Sequence, residues 1–153
     1  MAYELRTATP DDLAAIMALE AATFESDAWS TESMLSELAS PHTYYLFAFD
    51  PATPDALAGY GGLLAPRGSD DADIQTIAVA PAARRQGLGR TLVTAMLAEA
   101  AARSASHVFL EVRADNPNAR ALYDSLGFEQ IAVRAKYYQP DGVDAQIMRV
   151  TLR

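Results

Sequence analysis

Residues 73–90 read DIQTIAVAPAARRQGLGR and join a short apolar run, a proline break and a basic turn that contains glycine. The run Ile74–Val79 is rich in β-branched residues, which favour a strand. Pro81 cannot donate to a strand ladder, so we expect the strand to end near Ala80. Apolar residues then recur at the spacing of a core-facing helix: Leu88, Leu92, Val93, Met96, Leu97 and Ala100.

The turn between this strand and this helix is predicted to bind an anion. It contains Arg84, Arg85, Gly87, Gly89 and Arg90. Glycine lets backbone N–H groups approach a ligand closely, and a helix N-terminus attracts negative charge. Neither a Walker loop nor a three-glycine dinucleotide fingerprint fits the spacing. The pattern favours the pyrophosphate of a large anionic cofactor, and the alternative is an ordinary strand-to-helix turn.

Composition limits the class of protein. A chain of 153 residues, half of them apolar, with mixed helix and strand patterns predicts one α/β or α+β domain over residues 1–153. The absence of cysteine excludes disulfides, zinc–thiolate sites and a cysteine nucleophile, and it fits a cytoplasmic location. We expect no metal site, because no cluster of His, Asp and Glu is visible. No apolar segment is long enough to predict a membrane span, and no signal peptide is expected.

The formal net charge of -8 argues against nucleic acid as a partner. An acidic cleft suits a cationic substrate better, since it raises the local concentration of cations. The three arginines of the glycine turn are an exception to this acidic background.

The remaining segments alternate between strand and helix patterns. Further strands are predicted at Tyr3–Thr7, Thr43–Asp50, Ala56–Leu64, His107–Val112, Phe128–Val133 and Ala145–Thr151. Further helices are predicted from Thr9, from Thr31 to Leu38 and from Asn118 to Leu126, the first two with Thr9 and Ser30 as N-caps. Three glycines in the Ala56–Leu64 strand indicate a bulge, and Lys136–Asp144 is predicted as a loop.

Glu111 is the first candidate for chemistry, because it is one acid within an apolar strand. A buried carboxylate needs a partner or a task. Burial would favour its use as a general base. The alternative is a structural ion pair with Arg113 or Arg84.

Tyr123 and Asn116 belong to the next helix. Tyr123 shares a face with Leu122 and Leu126, so a core tyrosine is the default interpretation. A phenol is also a fair proton donor to a departing thiolate. Asn116 precedes the helix, where asparagine is usually a cap or turn residue, although its amide could reach a ligand.

Four blocks resemble the GNAT N-acetyltransferase superfamily, and within it the RimI-like group of bacterial ribosomal-protein alanine N-terminal acetyltransferases. They are IAVAPAARRQGLGR (Ile77–Arg90), LEVRADNPNARALYDSLGF (Leu110–Phe128), FESDAWS (Phe24–Ser30) and KYYQPDGVDA (Lys136–Ala145). The blocks stand in the family's order and cover most of the chain. Thr76 departs from the pattern, since relatives often have asparagine there.

The resemblance implies a mixed seven-stranded sheet that splays between strands 4 and 5, with about four helices on both faces. It implies acetyl-coenzyme A as cosubstrate and a protein N-terminus, that of a ribosomal protein, as acceptor. Glu111 would be the proton acceptor and Tyr123 the proton donor, with Trp29, Tyr137 and Tyr138 near the acceptor. The implied cofactor contacts are Ile77, Ala78, Val79, Arg84, Arg85, Gln86, Gly87, Leu88, Gly89, Arg90 and Asn116.

The implied reaction is direct attack of a neutral amine on the thioester, without a covalent acyl-enzyme. Two alternatives remain open at the level of sequence. The acceptor could be a lysine side chain or a small amine, because fold does not set substrate. The chain could also bind acetyl-coenzyme A as a sensor without catalysis.

Overall fold

The computed structural model describes residues 3–152. Its strands are β1 (Glu4–Thr7), β2 (Thr43–Phe49), β3 (Gly59–Leu64), β4 (Asp71–Val79), β5 (His107–Arg113), β6 (Glu129–Tyr138) and β7 (Val143–Thr151). Its α-helices are α1 (Leu13–Phe24), α2 (Thr31–Ala39), α3 (Leu88–Ala102) and α4 (Pro117–Ser125). Of the predicted single domain, positions 1, 2 and 153 lie outside the described residues.

All seven strands form one mixed sheet in the order β1-β2-β3-β4-β5-β7-β6. Every neighbouring pair is antiparallel except β4 and β5. These two parallel strands pair only where Asp71–Asp73 meets His107–Phe109. Beyond that point they diverge, which confirms the predicted mixed sheet and its splay. The facing backbone edges of β4 and β5 are therefore left open to a ligand.

A β-bulge interrupts β4 just before the splay. Gly62 pairs with Thr76, whereas Leu63 pairs with Ile74, so Gln75 is the extra residue. The irregularity lies opposite the glycines of β3, as expected, but the inserted residue is on β4 rather than β3. Because the bulge reverses the alternation of side chains, Thr76 points to the opposite face of the sheet from Ile74. Thr76 reaches the α1 side.

The glycine at position 62 makes room for a tyrosine that supports this bulge. A Cβ atom on Gly62 would lie 2.2 Å from Cζ of Tyr45. The Tyr45 hydroxyl donates a hydrogen bond of 2.8 Å to Oε1 of the bulged Gln75. Any larger residue at position 62 would displace the Tyr45 ring and with it this bond.

Two helices cover each face of the sheet. α3 and α4 pack on one face over a core that includes Leu92, Met96 and Tyr123. α1 and α2 pack on the other face, where Ile16 and Met34 are fully buried. The splay between β4 and β5 thus opens between two layers of helices, and this position defines the site.

The helix starts follow from capping chemistry. Ser30 Oγ accepts a hydrogen bond of 3.1 Å from the backbone N–H of Ser33, which confirms Ser30 as the N-cap of α2. At Thr9 the prediction is only partly right, because the short 3₁₀ turn Pro10–Asp12 precedes α1. The backbone N–H of Thr9 donates to Asp12 Oδ2 over 2.9 Å there.

The last two strands differ most from the prediction. β6 continues to Tyr138 and β7 begins at Val143, so the predicted loop Lys136–Asp144 is wrong and the connection shrinks to residues 139–142. Lys136 adopts a left-handed φ of 54° and its backbone N–H donates to Asp144 Oδ1. This local irregularity lets the two strands pair again at Tyr138 and Val143.

Two other boundaries differ by a few residues. β3 begins at Gly59 rather than Ala56, because the turn after β2 is longer than predicted. α4 begins at Pro117, whose fixed φ suits the first helical position. In the described part of the chain, no helix has both the length and the apolar character needed to cross a bilayer. The cytoplasmic location stays a prediction.

Candidate active site

A cavity of about 1150 Å³ occupies the space where β4 and β5 diverge. It extends from this gap over the α1 side of the sheet to β6 and the β6–β7 loop. Seven residues that the sequence singled out line it together: Trp29, Ile77, Glu111, Asn116, Tyr123, Tyr137 and Tyr138. The cavity therefore brings the two predicted catalytic side chains and the predicted acceptor residues to one place.

Tyr123 reaches the cavity from α4. Its side chain is 6% exposed and its ring packs edge-on against Phe128, with 5.6 Å between centroids. Burial raises the pKa of the Tyr123 phenol to about 12. The hydroxyl is thus fully protonated at neutral pH and available as a donor. Tyr123 is both the core tyrosine of the default interpretation and a lining residue of the cavity.

Glu111 reaches the same cavity from β5, but it is not buried. Its side chain is 30% exposed, and Oε1 lies 3.4 Å from Nη1 of Arg134 on β6. The expected burial is wrong because the neighbouring Leu110 and Val112 turn into the core, so strand alternation turns Glu111 toward the cavity.

The structural ion pairs considered for Glu111 do not form within residues 3–152. Arg113 instead binds aspartates, and Arg84 Nε donates to the backbone carbonyl of Val79 over 3.1 Å. The partner that is present, Arg134, lies on a strand that the sequence predicted to end at Val133.

Tyr137 and Tyr138 form the far wall of the cavity. Their rings meet edge-on with 5.1 Å between centroids, and the Arg134 guanidinium lies 5.3 Å from the Tyr137 ring centroid. Burial, followed by the charge of Glu111, raises the pKa of Tyr138 to about 12. The same two causes raise the pKa of Tyr137. Both phenols are therefore neutral side chains with a polar edge on the cavity.

A buried carboxylate that the sequence did not single out lies at the back of the cavity. Glu20 on α1 is 1% exposed and accepts hydrogen bonds from the Tyr60 hydroxyl, from Thr76 Oγ1 at 3.0 Å and from the backbone N–H of Trp29 at 3.0 Å. Burial, followed by the charge of Glu20, raises the pKa of Tyr60 above its usual range. Glu20 thus fixes the position of Trp29, which lines the cavity.

A signal for Glu20 was present in the sequence. Ile16 lies one helical turn earlier and is fully buried, so Glu20 continues the apolar stripe of α1 at i+4 spacing. A charged residue on a buried stripe indicates a polar partner from elsewhere in the fold. Thr76, the position that departs from the family pattern, is one of those partners.

The cavity is acidic overall. Six carboxylates and two guanidiniums line it: Glu20, Glu25, Asp27, Asp73, Glu111 and Asp141 against Arg113 and Arg134. Burial, with the nearby charges of Asp71 and Glu111, raises the pKa of Asp73. Such a surface attracts a cation, which agrees with the cationic substrate inferred from the net charge.

The glycine turn lies at the start of α3. Gly87 is the N-cap with a left-handed φ of 79°, and within the described residues no side chain caps this end of the helix. Arg90 Nη2 donates to Ser125 Oγ at 2.7 Å, and Gln86 Oε1 accepts from the Tyr3 hydroxyl. Among residues 3–152, no carboxylate forms a salt bridge with Arg84, Arg85 or Arg90.

The composition of this turn suits an anionic group such as a diphosphate. Its three arginines form no salt bridge with a carboxylate of the described residues, and they stand next to the N-terminus of α3 in the sequence, where backbone N–H groups attract negative charge. Of the predicted cofactor residues, Ile77 and Asn116 also line the cavity. The others, Ala78 and Val79 at the end of β4 and residues 84–90 in the turn, lie outside its lining. Asn116 Oδ1 also accepts from the backbone N–H of Ala119 at 3.2 Å, so it caps α4 as well.

Comparison with known proteins gives a consistent result. Residues 13–128 match the model of the acetyltransferase (GNAT) family. The chain is 40% identical over 134 residues to the N-alpha-acetyltransferase RimI of Mycobacterium tuberculosis, covering 86% of this chain and 81% of that protein. It is also 39% identical over 146 residues to an uncharacterized protein of Mycobacterium leprae, but it spans only 39% of that protein's length.

The fold also matches a solved structure. The crystal structure of the ribosomal-protein-S18-alanine N-acetyltransferase from Escherichia coli superposes with a TM-score of 0.84 at 30% identity, over 99% of this chain and 94% of that one. The family match covers the splayed strands, the glycine turn and α4 together. This chain accordingly belongs to the GNAT family and is an N-acetyltransferase.

Proposed function

We propose that this enzyme transfers an acetyl group from acetyl-coenzyme A to the N-terminal α-amine of a protein, namely an N-terminal alanine of a ribosomal protein. Glu111 accepts the proton of the amine and Tyr123 donates a proton to the leaving thiolate. The observation that carries this proposal is that Glu111, from β5, and Tyr123, from α4, line the same acidic cavity.

The acidic cavity suits an acceptor that arrives as a cation and reacts as a neutral amine. An α-amine has a pKa near 8, so about a tenth of it is neutral at pH 7, against a thousandth or less of a lysine amine. Glu111 is open to the cavity, so it can accept this proton directly or through one water molecule. A weakly basic α-amine therefore demands less of the enzyme than a lysine.

Tyr123 has the opposite role. Its raised pKa keeps the hydroxyl protonated at neutral pH. A thiol has a pKa near 8.5, so transfer of the proton from a phenol with a pKa of about 12 to a free thiolate is uphill by about 5 kcal/mol. Tyr123 therefore donates its proton as the C–S bond breaks and negative charge develops on the sulfur. When bound, acetyl-coenzyme A supplies a thioester carbonyl that a neutral amine attacks directly.

The binding roles are divided between the two ends of the gap. The glycine turn at residues 84–90 holds the diphosphate, with guanidinium groups and helix N–H groups as its donors. The open backbone edge of β4 at Ile77–Val79 offers peptide groups to the pantetheine arm. Trp29, Tyr137 and Tyr138 enclose the acceptor.

The identity of the acceptor rests on the relatives. The Mycobacterium tuberculosis relative is named an N-alpha-acetyltransferase, and the Escherichia coli structure is that of an enzyme for the alanine of ribosomal protein S18. The two alignments cover 86% and 99% of this chain. A ribosomal-protein N-terminus that begins with alanine is therefore the acceptor that we propose.

The test is a measurement of free thiol released from acetyl-coenzyme A. The protein is incubated with a ribosomal-protein peptide that begins with alanine. The matched control is the same peptide with a blocked N-terminus and one internal lysine, and a polyamine serves as a small-amine control. We expect thiol release with the free N-terminus and little with either control.

Two outcomes contradict the proposal. Turnover of the blocked peptide or the polyamine well above that of the free N-terminus would move the acceptor to a lysine or a small amine. Binding of acetyl-coenzyme A without turnover of any amine would indicate a sensor.

A further inference from the structure

We propose that Arg113 is a positioning residue that ties together the two loops at the acceptor end of the cavity and so sets the affinity for the acceptor. This inference rests on the proposed function, because it concerns the same cavity. Arg113 is the last residue of β5, two positions after Glu111.

One guanidinium engages three carboxylates. Arg113 Nη1 binds Asp27, Nη2 lies 2.5 Å from Asp141 Oδ2, and Nε lies 3.0 Å from Asp115 Oδ1. Nη2 also donates to Asp115 Oδ2 at 3.2 Å. These bonds use all three nitrogen atoms of the guanidinium.

The carboxylates come from three separate loops. Asp27 belongs to the 3₁₀ turn Glu25–Asp27 between α1 and α2, Asp115 follows β5, and Asp141 lies in the β6–β7 loop. Asp27 and Asp141 both line the cavity, as does Arg113. Arg113 therefore connects the α1–α2 turn to the β6–β7 loop. In the sequence, Asp27 and Asp141 are 114 positions apart (141 − 27).

The guanidinium also contacts the aromatic wall. Its central carbon lies 4.9 Å from the centroid of the Tyr138 ring. A cation at this distance over a ring face is attracted by the ring quadrupole. Arg113 thus contacts both the Asp141 carboxylate in the β6–β7 loop and Tyr138, the wall residue that precedes this loop.

Without Arg113 the three aspartates would repel one another. The hydrogen bonds from Arg113 lower the pKa of the Asp115 and Asp141 carboxyls, so both are ionised at neutral pH. Lysine is a poor substitute, because an ammonium cannot present the planar fork that reaches several carboxylates at once. The arginine is specifically suited to this connection.

The connection matters for binding, because loops that are already ordered need not lose conformational freedom when the acceptor enters. Arg113 is not placed among the groups that exchange protons with the reactants. Its loss is therefore expected to weaken acceptor binding and to leave the chemical step nearly unchanged.

The first experiment measures amide hydrogen exchange in the protein without substrates. In Arg113→Gln we expect faster exchange at residues 25–28 and 139–142 together, while the core strands keep their protection. The control is Arg120→Gln, which removes an ion pair to Asp124 at 3.0 Å outside the cavity lining. Unchanged exchange of either loop in Arg113→Gln would overturn the inference, whatever the acceptor is.

The second experiment measures steady-state kinetics with the alanine peptide. In Arg113→Gln we expect the KM for peptide to rise about tenfold, with kcat within about twofold and the KM for acetyl-coenzyme A unchanged. Arg113→Lys should give an intermediate KM, and Arg120→Gln should match the wild type. An unchanged peptide KM in Arg113→Gln, or a loss confined to kcat, would overturn the inference.

A milder variant tests the same connection if Arg113→Gln folds poorly. Asp141→Asn removes one exposed carboxylate of the connection. It should speed amide exchange at residues 139–142 and, like Arg113→Gln, raise the KM for peptide. Failure of the proposed function is seen separately, as absence of peptide turnover by the wild-type enzyme.

Discussion

Arg134 Nη1 lies 3.4 Å from Glu111 Oε1, and both residues line the cavity. The proposed base is thus held by a partly exposed ion pair between β5 and β6. Exposed ion pairs contribute little to stability, typically below about 1 kcal/mol. The role of Glu111 in the reaction can therefore be tested without disturbing the fold.

The first prediction concerns Glu111→Gln. We expect kcat on the alanine peptide to fall by about 100-fold, the lower range for loss of a general base. The free energy of unfolding should change by less than about 1 kcal/mol. Steady-state kinetics and urea unfolding provide these measurements.

Glu129→Gln is the control for Glu111→Gln, since this exposed glutamate starts β6 outside the cavity lining. It should leave kcat unchanged. If Glu111→Gln retained full kcat, the proton would have to leave by another route.

The second prediction uses the pKa of Tyr123. Its folded-state pKa of about 12 exceeds the ordinary phenol value of 10. Between these values the unfolded chain loses the proton while the folded chain keeps it, so this contribution to stability is full below pH 10 and declines through pH 12. Two pKa units correspond to about 2–3 kcal/mol.

The measurement for Tyr123 is urea unfolding of the wild type and of Tyr123→Phe across pH 9–12. As the pH rises, the free energy of unfolding of the wild type should fall relative to that of the variant by about 2–3 kcal/mol. Comparison within this pair removes the contributions of the other tyrosines, which both proteins share. Parallel curves would mean that the hydroxyl is not held in a buried, protonated state.

The third prediction separates strain from ligand binding at the glycine turn. Gly87 has φ 79° and Gly68 has φ 86°, and nothing within 4 Å would meet a Cβ atom at either position. Replacement by alanine should cost each protein about 1 kcal/mol of backbone strain. Only Gly87→Ala should also weaken the binding of acetyl-coenzyme A, since only Gly87 is the N-cap of α3.

Isothermal titration of both variants with acetyl-coenzyme A, together with thermal unfolding, checks this difference. Equal weakening in Gly68→Ala would trace the effect to general destabilisation. Unchanged affinity in Gly87→Ala would remove the turn from the cofactor site.

The fourth prediction concerns the buried carboxylate at the back of the cavity. Glu20→Ala leaves the Tyr60 hydroxyl, Thr76 Oγ1 and the Trp29 N–H without their acceptor. Loss of a buried acceptor for several donors should lower the free energy of unfolding by about 2–4 kcal/mol.

Glu32→Ala, an exposed acid on α2, is the matched control for Glu20→Ala. Glu32→Ala should lower the free energy of unfolding by less than about 1 kcal/mol, because a surface charge in the first turn interacts mainly with the helix dipole. Chemical denaturation of both variants gives the comparison. Equal losses would show that the Glu20 hydrogen bonds do not hold this part of the fold.

Much of the fold could be predicted from local patterns. The β-branched run at Ile74–Val79, the break at Pro81 and the apolar stripe of α3 are properties of neighbouring residues. Ser30 likewise caps α2 through a residue only three positions away. The end of β6 could not be predicted, because its pairing at Tyr138 depends on a strand that the turn at residues 139–142 brings back.

The cavity was predictable only in part. Glu111 and Tyr123 stand in one block of sequence, so their approach to a common gap follows from a strand, a turn and a helix. The side chains that pair with residues of this block could not be predicted from the block itself. Arg134 lies on another strand, and the expected Arg113 partner is engaged by aspartates from other loops.

By itself the sequence determined the strand–turn–helix unit, the acidic character of the chain and the residues that meet at the gap. Periodicity, capping and turn chemistry act over a few residues, and charge simply adds along the chain. The tertiary structure decided which charges are paired. Glu20 meets Tyr60 across 40 positions and Arg113 meets Asp27 across 86. Hydrogen bonds and ion pairs depend on atoms within a few ångströms, and only the folded sheet sets those distances.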